Sequence, residues 1–458
     1  MTAVETYLDQ HFTEALEELK AFCRIPSVST DPAYADGIAA AASFVADKLR
    51  RTGFSQVELL PTGSHPAVYG ELIGDLALPT ILVYGHYDVQ PPDPLDKWKT
   101  PPFEPEERDG RLYARGASDD KGPLLIPILV AEAYMRTSGR LPLNLKILIE
   151  GEEESGSPHF EATLQAYSSK LDCDLVISAD GAMWRPDRPS MTVASRGMLA
   201  MEISVSGASK DLHSGRHGGT APNPILALAR LLSSLHGEDG RVLVEGFLDG
   251  IQPPDPTIIA AIEAAGFDAE AYYSAIGVPK PYPISDGKEA LVRQWLEPTM
   301  ELNGIYGGYQ GEGSKTVIPS SASVKITCRL VAGQKPDHVF SSITHHLQQR
   351  LPAGFILDIH RHGPGSEAFF VDPQLPALAV AEGILAELLG QPPLRVAMGA
   401  TIPIGATFRK HLGREAIFFS FATSDEDYHA PNEFFRLSSF RTGLTAWAML
   451  LSRLGTST

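Results

Sequence analysis

Seven side chains could do chemistry together: His86, Asp88, Asp119, Glu153, Glu154, Asp180 and His429. His86 and Asp88 stand two positions apart at the end of an apolar run, Ile81-Leu82-Val83-Tyr84, which breaks at Gly85. An imidazole is a good zinc ligand, and a carboxylate two residues on can hold the other ring nitrogen in place. The same pair would also suit a buried histidine with a hydrogen-bonded aspartate. Three further apolar segments end in the same manner. Residues 144–149 run into Glu150-Gly151-Glu152-Glu153-Glu154, residues 174–178 into Asp180, and residues 416–421 into Asp425-Glu426-Asp427-Tyr428-His429. Asp119 and Asp120 precede a helix that is expected from about Pro123 to Ser138, and could cap it or bind a cation. Carboxylates gathered at one sheet edge repel one another unless a cation neutralises them. The set is large enough for two metals about 3.5–4 Å apart and a catalytic base. Nitrogen and oxygen donors without cysteine suit Zn2+, with Mn2+ or Co2+ as alternatives.

Such residues need a scaffold that brings strand ends together. Short apolar runs bounded by turn residues are typical of a parallel sheet covered on both faces, where ligands gather beyond the carboxyl ends of the strands. Residues 4–22 and 37–51 read as amphipathic helices, 57–60 and 67–72 as strands, and 91–105 as a long Pro-rich loop. The pattern changes near Met191. Residues 198–206 and 323–330 alternate like half-exposed strands, 223–235 and 336–350 are helical, and 355–360 is a strand. Residues 242–309, rich in Pro, Gly and Asp, yield no assignment. Helices are expected again over 377–389 and 437–454. The expected architecture is α/β: a metal-binding domain with a mostly parallel sheet, residues 1–191 and 365–458, interrupted by an inserted α+β domain, residues 192–364.

Composition narrows the function. The 458-residue chain is 43% hydrophobic, enough for a substantial core. A formal charge of −18 argues against unassisted binding to nucleic acid or to an anionic membrane. Cys23, Cys173 and Cys328 form no C-x-x-C pair and read as small buried apolar residues. The first residues lack the basic and apolar segments of a signal peptide, and residues 123–130 are too short to span a bilayer. A soluble, cytoplasmic protein is expected.

Four segments resemble the dinuclear zinc peptidases that include cytosolic dipeptidases, carnosinases, aminoacylases and bacterial glutamate carboxypeptidases. They are Gly85-His86-Tyr87-Asp88-Val89, Gly116-Ala117-Ser118-Asp119-Asp120-Lys121-Gly122, Glu150-Gly151-Glu152-Glu153-Glu154-Ser155-Gly156-Ser157 and Asp211-Leu212-His213-Ser214-Gly215. The resemblance implies that His86 and Asp180 are terminal ligands of one metal, Glu154 and His429 ligands of the other, and Asp119 the bridge, with a cis bond to Asp120. It implies Asp88 as the residue orienting His86 and Glu153 as the general base. The three consecutive glutamates make that last pair depend on register, counted back from Ser155-Gly156. Ser178-Ala179-Asp180-Gly181 departs from the Ser-Asp-Asn common among the relatives, and an aspartate there resembles the dipeptidase branch.

The resemblance also implies that the inserted domain is a lid and dimerisation domain, and that His213 stabilises the oxyanion in the partner subunit's site. Arg329 resembles the arginine that grips a substrate carboxylate, and Thr401, in Gly399-Ala400-Thr401-Ile402-Pro403, resembles a hydroxyl that binds the same group. The expected activity is hydrolysis of dipeptides or short peptides by a homodimer. N-acyl amino acid deacylation, carboxypeptidase activity, or a non-catalytic binding role on the same fold are the alternatives.

Overall fold

A computed structural model describes residues 2–278, 284, 286–399 and 404–456. They fall into two compact units: the described residues of 1–193, 371–396 and 407–458, and those of 194–370 and 397–406.

The first unit holds a six-stranded sheet in the order Glu58–Leu60, Ala67–Leu72, Asn144–Glu150, Thr80–His86, Leu175–Ser178, Ala416–Phe418. The last four strands run parallel, and the first two add an antiparallel edge. Neighbouring positions on the Thr80–His86 strand show why its interior is apolar throughout. Gly85 faces the Lys121–Ser138 helix so closely that an added Cβ would lie 2.6 Å from Asp120 Oδ2 and 3.4 Å from Leu124 Cβ. Tyr84 points the other way, edge-on to Phe160 and Phe408 at centroid distances of 5.5 and 5.6 Å. Both faces are covered, so no position along the strand can be polar without a partner. The Lys121–Ser138 helix also packs against Ala35–Thr52 and the long closing helix Leu437–Thr456.

The second unit is an antiparallel four-stranded sheet, in the order Thr299–Gly307, Ser321–Leu330, Gly197–Ser206, Ile356–Ser366. Alternation along Gly197–Ser206 puts Leu199, Met201, Ile203 and Val205 into a core with Val324, Ile326 and Cys328. The helices Pro224–Ser233 and Pro336–Arg350 close that face with Leu228, Leu231, Val339, Ile343 and Leu347.

Three elements differ from the sequence reading. The expected helix over 4–22 is two helices, Ala3–Gln10 and Phe12–Cys23. At the break, the His11 backbone leaves the helical region, with φ −105° and ψ 19°; its ring stacks on Tyr7 at 3.9 Å, and its Nδ1 lies 2.9 Å from the Tyr7 carbonyl, which also accepts the His11 N–H. The 416–421 strand ends at Phe418, and Ala422–Thr423 then pairs with Ala182–Met183. Within 242–309, three helices form, Pro256–Ala264, Ala269–Ala275 and Gly287–Trp295, followed by the Thr299–Gly307 edge strand. Each of these helices starts at an aspartate N-cap, Asp255, Asp268 or Asp286. No described helix is long and apolar enough to cross a membrane.

Candidate metal centre

Register in the parallel sheet aligns the strand ends. His86 lies opposite Glu150, and Tyr84 opposite Ser178, so the turns carrying Asp88, Glu152–Glu154 and Asp180 leave the sheet side by side. Phe418 is also opposite Ser178, which starts the return towards His429 from the same edge. Asp119 arrives from the loop before the Lys121–Ser138 helix; its peptide bond to Asp120 is cis. Asp120 turns inward and accepts the His86 N–H at 3.2 Å.

The side chains converge in two triads that share one residue. Donor atoms of His86, Asp119 and Asp180 all lie within 4.8 Å of one another, and so do those of Asp119, Glu154 and His429. Asp119 is split between them: its Oδ1 is 3.0 Å from His86 Nε2 and its Oδ2 is 3.0 Å from His429 Nε2. Glu154 Oε2 lies 3.2 Å from His429 Nε2. His86 is buried, whereas His429 is half exposed.

Asp88 organises both the imidazole and the turn above it. His86 Nδ1 is 3.0 Å from the Asp88 carbonyl and 3.4 Å from its Oδ1. The same carboxylate accepts the backbone N–H groups of Glu153 and Glu154, at 3.3 and 3.0 Å. The three glutamates are thereby given different surroundings. Glu152 is buried and turned away, its carboxylate accepting the His65 N–H at 3.2 Å and lying 3.0 Å from His159 Nδ1. Glu154 stands in the second triad, where Gln90 Nε2 donates to it at 2.8 Å. Glu153 belongs to neither triad.

Electrostatics fit a cation-binding centre. Burial pushes the Glu153 carboxyl well above its ordinary range, with Asp180, Glu154 and Asp119 adding repulsion against the attraction of His86. Burial likewise raises Glu154, helped by Asp119, and raises Asp180 to about 6. Asp119 goes the other way: burial disfavours its charge, but hydrogen bonds from His429 and His86 hold it low. His429 is pushed up to about 10 by Asp119 and Glu154. Divalent cations bind imidazoles and carboxylates in their deprotonated forms, and a buried cluster of such groups is the chemistry of a metal site. Imidazole nitrogens and carboxylate oxygens, three per site with one shared, fit two such ions.

Other sequence candidates lie in the second unit. His213 ends the short Leu212–His213 strand, paired with Val317–Ile318, and its Nδ1 accepts the Gly215 N–H at 3.1 Å. Arg329 sits on Ser321–Leu330 between Met198 and Thr299. Thr401 lies outside the described residues.

Several partners escaped the sequence reading. Gln90 is one. Two buried carboxylates, Glu426 and Glu433, hold the Asp119 loop; Glu433 also pairs with buried Arg115 at 2.7 Å. Buried Lys121 donates to the carbonyls of Phe22, in the last turn of Phe12–Cys23, and Ile25, just beyond it, at 3.2 and 2.6 Å. The Lys121, Arg115 and Glu433 positions all fall inside or beside the motifs, but an unpaired sequence gives no sign that a charge is buried.

Known proteins resemble the chain over most of its length. The profile of peptidase family M20/M25/M40 matches residues 82–453. The chain is 30% identical to the Cys-Gly metallodipeptidase dug1 of Schizosaccharomyces pombe, over 98% of this chain and 97% of the relative. It is also 30% identical to human Beta-Ala-His dipeptidase, over 93% of this chain and 87% of the relative. Among solved structures, it is similar to the M20 family metallo-carboxypeptidase Sso-CP2 from Sulfolobus solfataricus, with a TM-score of 0.86, 30% identity and coverage of 96% and 99%. The di-peptidase Dug1p from Saccharomyces cerevisiae gives a TM-score of 0.83 at 27% identity, covering 100% of this chain and 98% of that one. A family profile over most of the chain, and relatives 30% identical over nearly its whole length, lead to one conclusion: the chain belongs to peptidase family M20/M25/M40.

Proposed function

We propose that this protein is a dinuclear metal-dependent dipeptidase. The observation that carries the reading is Asp119, whose two oxygens each meet a different imidazole and so join two ligand triads. The relatives named above, dipeptidases at 30% identity over nearly the whole chain, support the substrate class.

His86, Asp119 and Asp180 would hold one cation, and Asp119, Glu154 and His429 the other. Zn2+ suits these donors best, and Mn2+ or Co2+ are compatible with them. Bound there, the ions would supply Lewis acidity for the scissile carbonyl and acidify a water. The chain's own groups do the rest. Asp88 fixes the His86 ring and the Glu153–Glu154 backbone. Glu153, partly buried beside both triads yet in neither, takes the proton of the attacking water and returns it to the leaving amine. Arg329 and Thr401 hold the substrate's terminal carboxylate. His213, from the other unit, donates to the developing oxyanion of the partner subunit's site, so the working enzyme is a homodimer.

The test is a substrate panel on zinc- and manganese-loaded protein: Cys-Gly, β-Ala-His and other dipeptides, tripeptides, and N-acetyl and N-succinyl amino acids. Dipeptide cleavage with little turnover of acylated amino acids is expected. A preference for acylated amino acids or for longer peptides would overturn the dipeptidase reading.

A further inference from the structure

We infer that Glu433 is a positioning residue for the Asp119–Glu154–His429 metal site, one that sets its affinity by fixing the backbone beneath Asp119. The inference rests on the assignment of those three residues as ligands.

Four donors converge on this one buried carboxylate. Oε1 accepts the N–H groups of Ser118 and Asp119, at 2.9 and 3.1 Å. Oε2 accepts the Gly116 N–H at 2.9 Å and Arg115 Nη1 at 2.7 Å. The Glu433 carbonyl also accepts the Ala114 N–H at 3.1 Å. Every turn of the loop that delivers Asp119 is therefore tied to a residue four positions beyond His429. Glu426, three positions before His429, closes the other side: its Oε2 accepts the Ser118 hydroxyl at 2.6 Å, and its Oε1 accepts the Arg436 N–H at 3.1 Å.

The segment between these two carboxylates needs such anchors. Asp427, His429 and Asn432 have φ of 53°, 63° and 68°, a region that non-glycine residues seldom occupy and keep only when their surroundings over-determine it. Asn432 adds a third tie, accepting the Lys99 N–H and donating to the Lys97 carbonyl, at 2.8 and 2.9 Å. Besides the direct contact of His429 Nε2 with Asp119 Oδ2, the backbones that carry the two residues are thus held together by Glu433 and Glu426. Arg115 balances the charge of Glu433, and the arrangement makes sense only with a carboxylate. A carboxamide has one acceptor oxygen, and its NH2 would confront two of the four donors.

The experiment is competition of the purified protein against a chromophoric chelator with Zn2+, for wild type, Glu433→Gln and Leu49→Ala. Leu49 is a buried residue of the Ala35–Thr52 helix, included to match a loss of apo-protein Tm without touching the centre. Loss of a partner to a ligand typically costs 10- to 100-fold in metal affinity. Glu433→Gln is expected to weaken at least one of the two equivalents by about 10- to 100-fold, while Leu49→Ala keeps wild-type affinities. Wild-type affinity for both equivalents in Glu433→Gln would overturn the inference and leave the dinuclear reading standing. Should Glu433→Gln not fold, Glu433→Asp keeps the charge but shortens the reach; several-fold weaker binding supports the inference and unchanged binding refutes it. Wild-type protein that takes up fewer than two equivalents would overturn both the inference and the metal assignment beneath it.

Discussion

Replacing Glu153 with glutamine separates the base from the ligands. The side chain keeps its size, and the backbone N–H that Asp88 accepts at 3.3 Å is untouched. Glu153 stands outside both triads, so metal content should stay near two equivalents. What is lost is a proton acceptor, and such a loss costs about 10²- to 10⁴-fold in turnover, or about 3 to 5 kcal/mol at the transition state. Glu152→Gln is the internal control. Its carboxylate is engaged by the His65 N–H and His159, so the change should disturb one local contact and keep activity within about tenfold. Initial rates on a dipeptide, with metal measured on the same samples, decide the matter. An active Glu153→Gln beside a dead Glu152→Gln, or a Glu153→Gln that has lost its metals, would refute the assignment of the base.

Asp119→Asn leaves one carbonyl oxygen where two carboxylate oxygens served, so metal analysis should return about one equivalent or less in place of two; retention of both ions would remove Asp119 from the bridging position. A mixture of His213→Ala and Glu153→Gln chains, each nearly inactive alone, should recover up to about one quarter of wild-type activity after subunit exchange, since half the dimers are mixed and each has one intact site. Exchange verified with labelled chains but without recovery would place His213 in its own chain's chemistry or outside it. Cys23, Cys173 and Cys328 are buried, and burial pushes each thiol up to about 12. A thiol reagent at pH 8 should label none of them in the folded protein and all three after denaturation.

Much of the centre could be read in the sequence because parallel strands covered on both faces must be apolar, and their sudden ends at His86, Glu150 and Ser178 mark where polar groups begin. The alternation of Gly197–Ser206 exposed the inserted sheet for the complementary reason, since one of its faces is open. What stayed hidden depends on the third dimension. Nothing in a string of letters says that Glu433 is fully buried or that Arg115 reaches it. His11 looked like one more helical position, because a ring contact with Tyr7 is invisible to periodicity. The helices of 242–309 are short and capped one by one, which leaves too little of each for an apolar stripe to show.

The separation of Asp119 from His429, 310 residues along the chain, has a consequence for the protein's synthesis. His86, Asp119 and Asp180 have all emerged by the time residue 180 has been added. At 5–20 residues per second, His429 follows Asp119 about 15 to 60 s later. From residue 180 to residue 429, a growing chain carries His86, Asp119 and Asp180 but lacks the His429 that completes the second triad. With the cations held as proposed, only the His86 side can be complete in an unfinished chain. A peptidase that needs both remains inert beside its own unfinished chain until the last tenth of its sequence arrives.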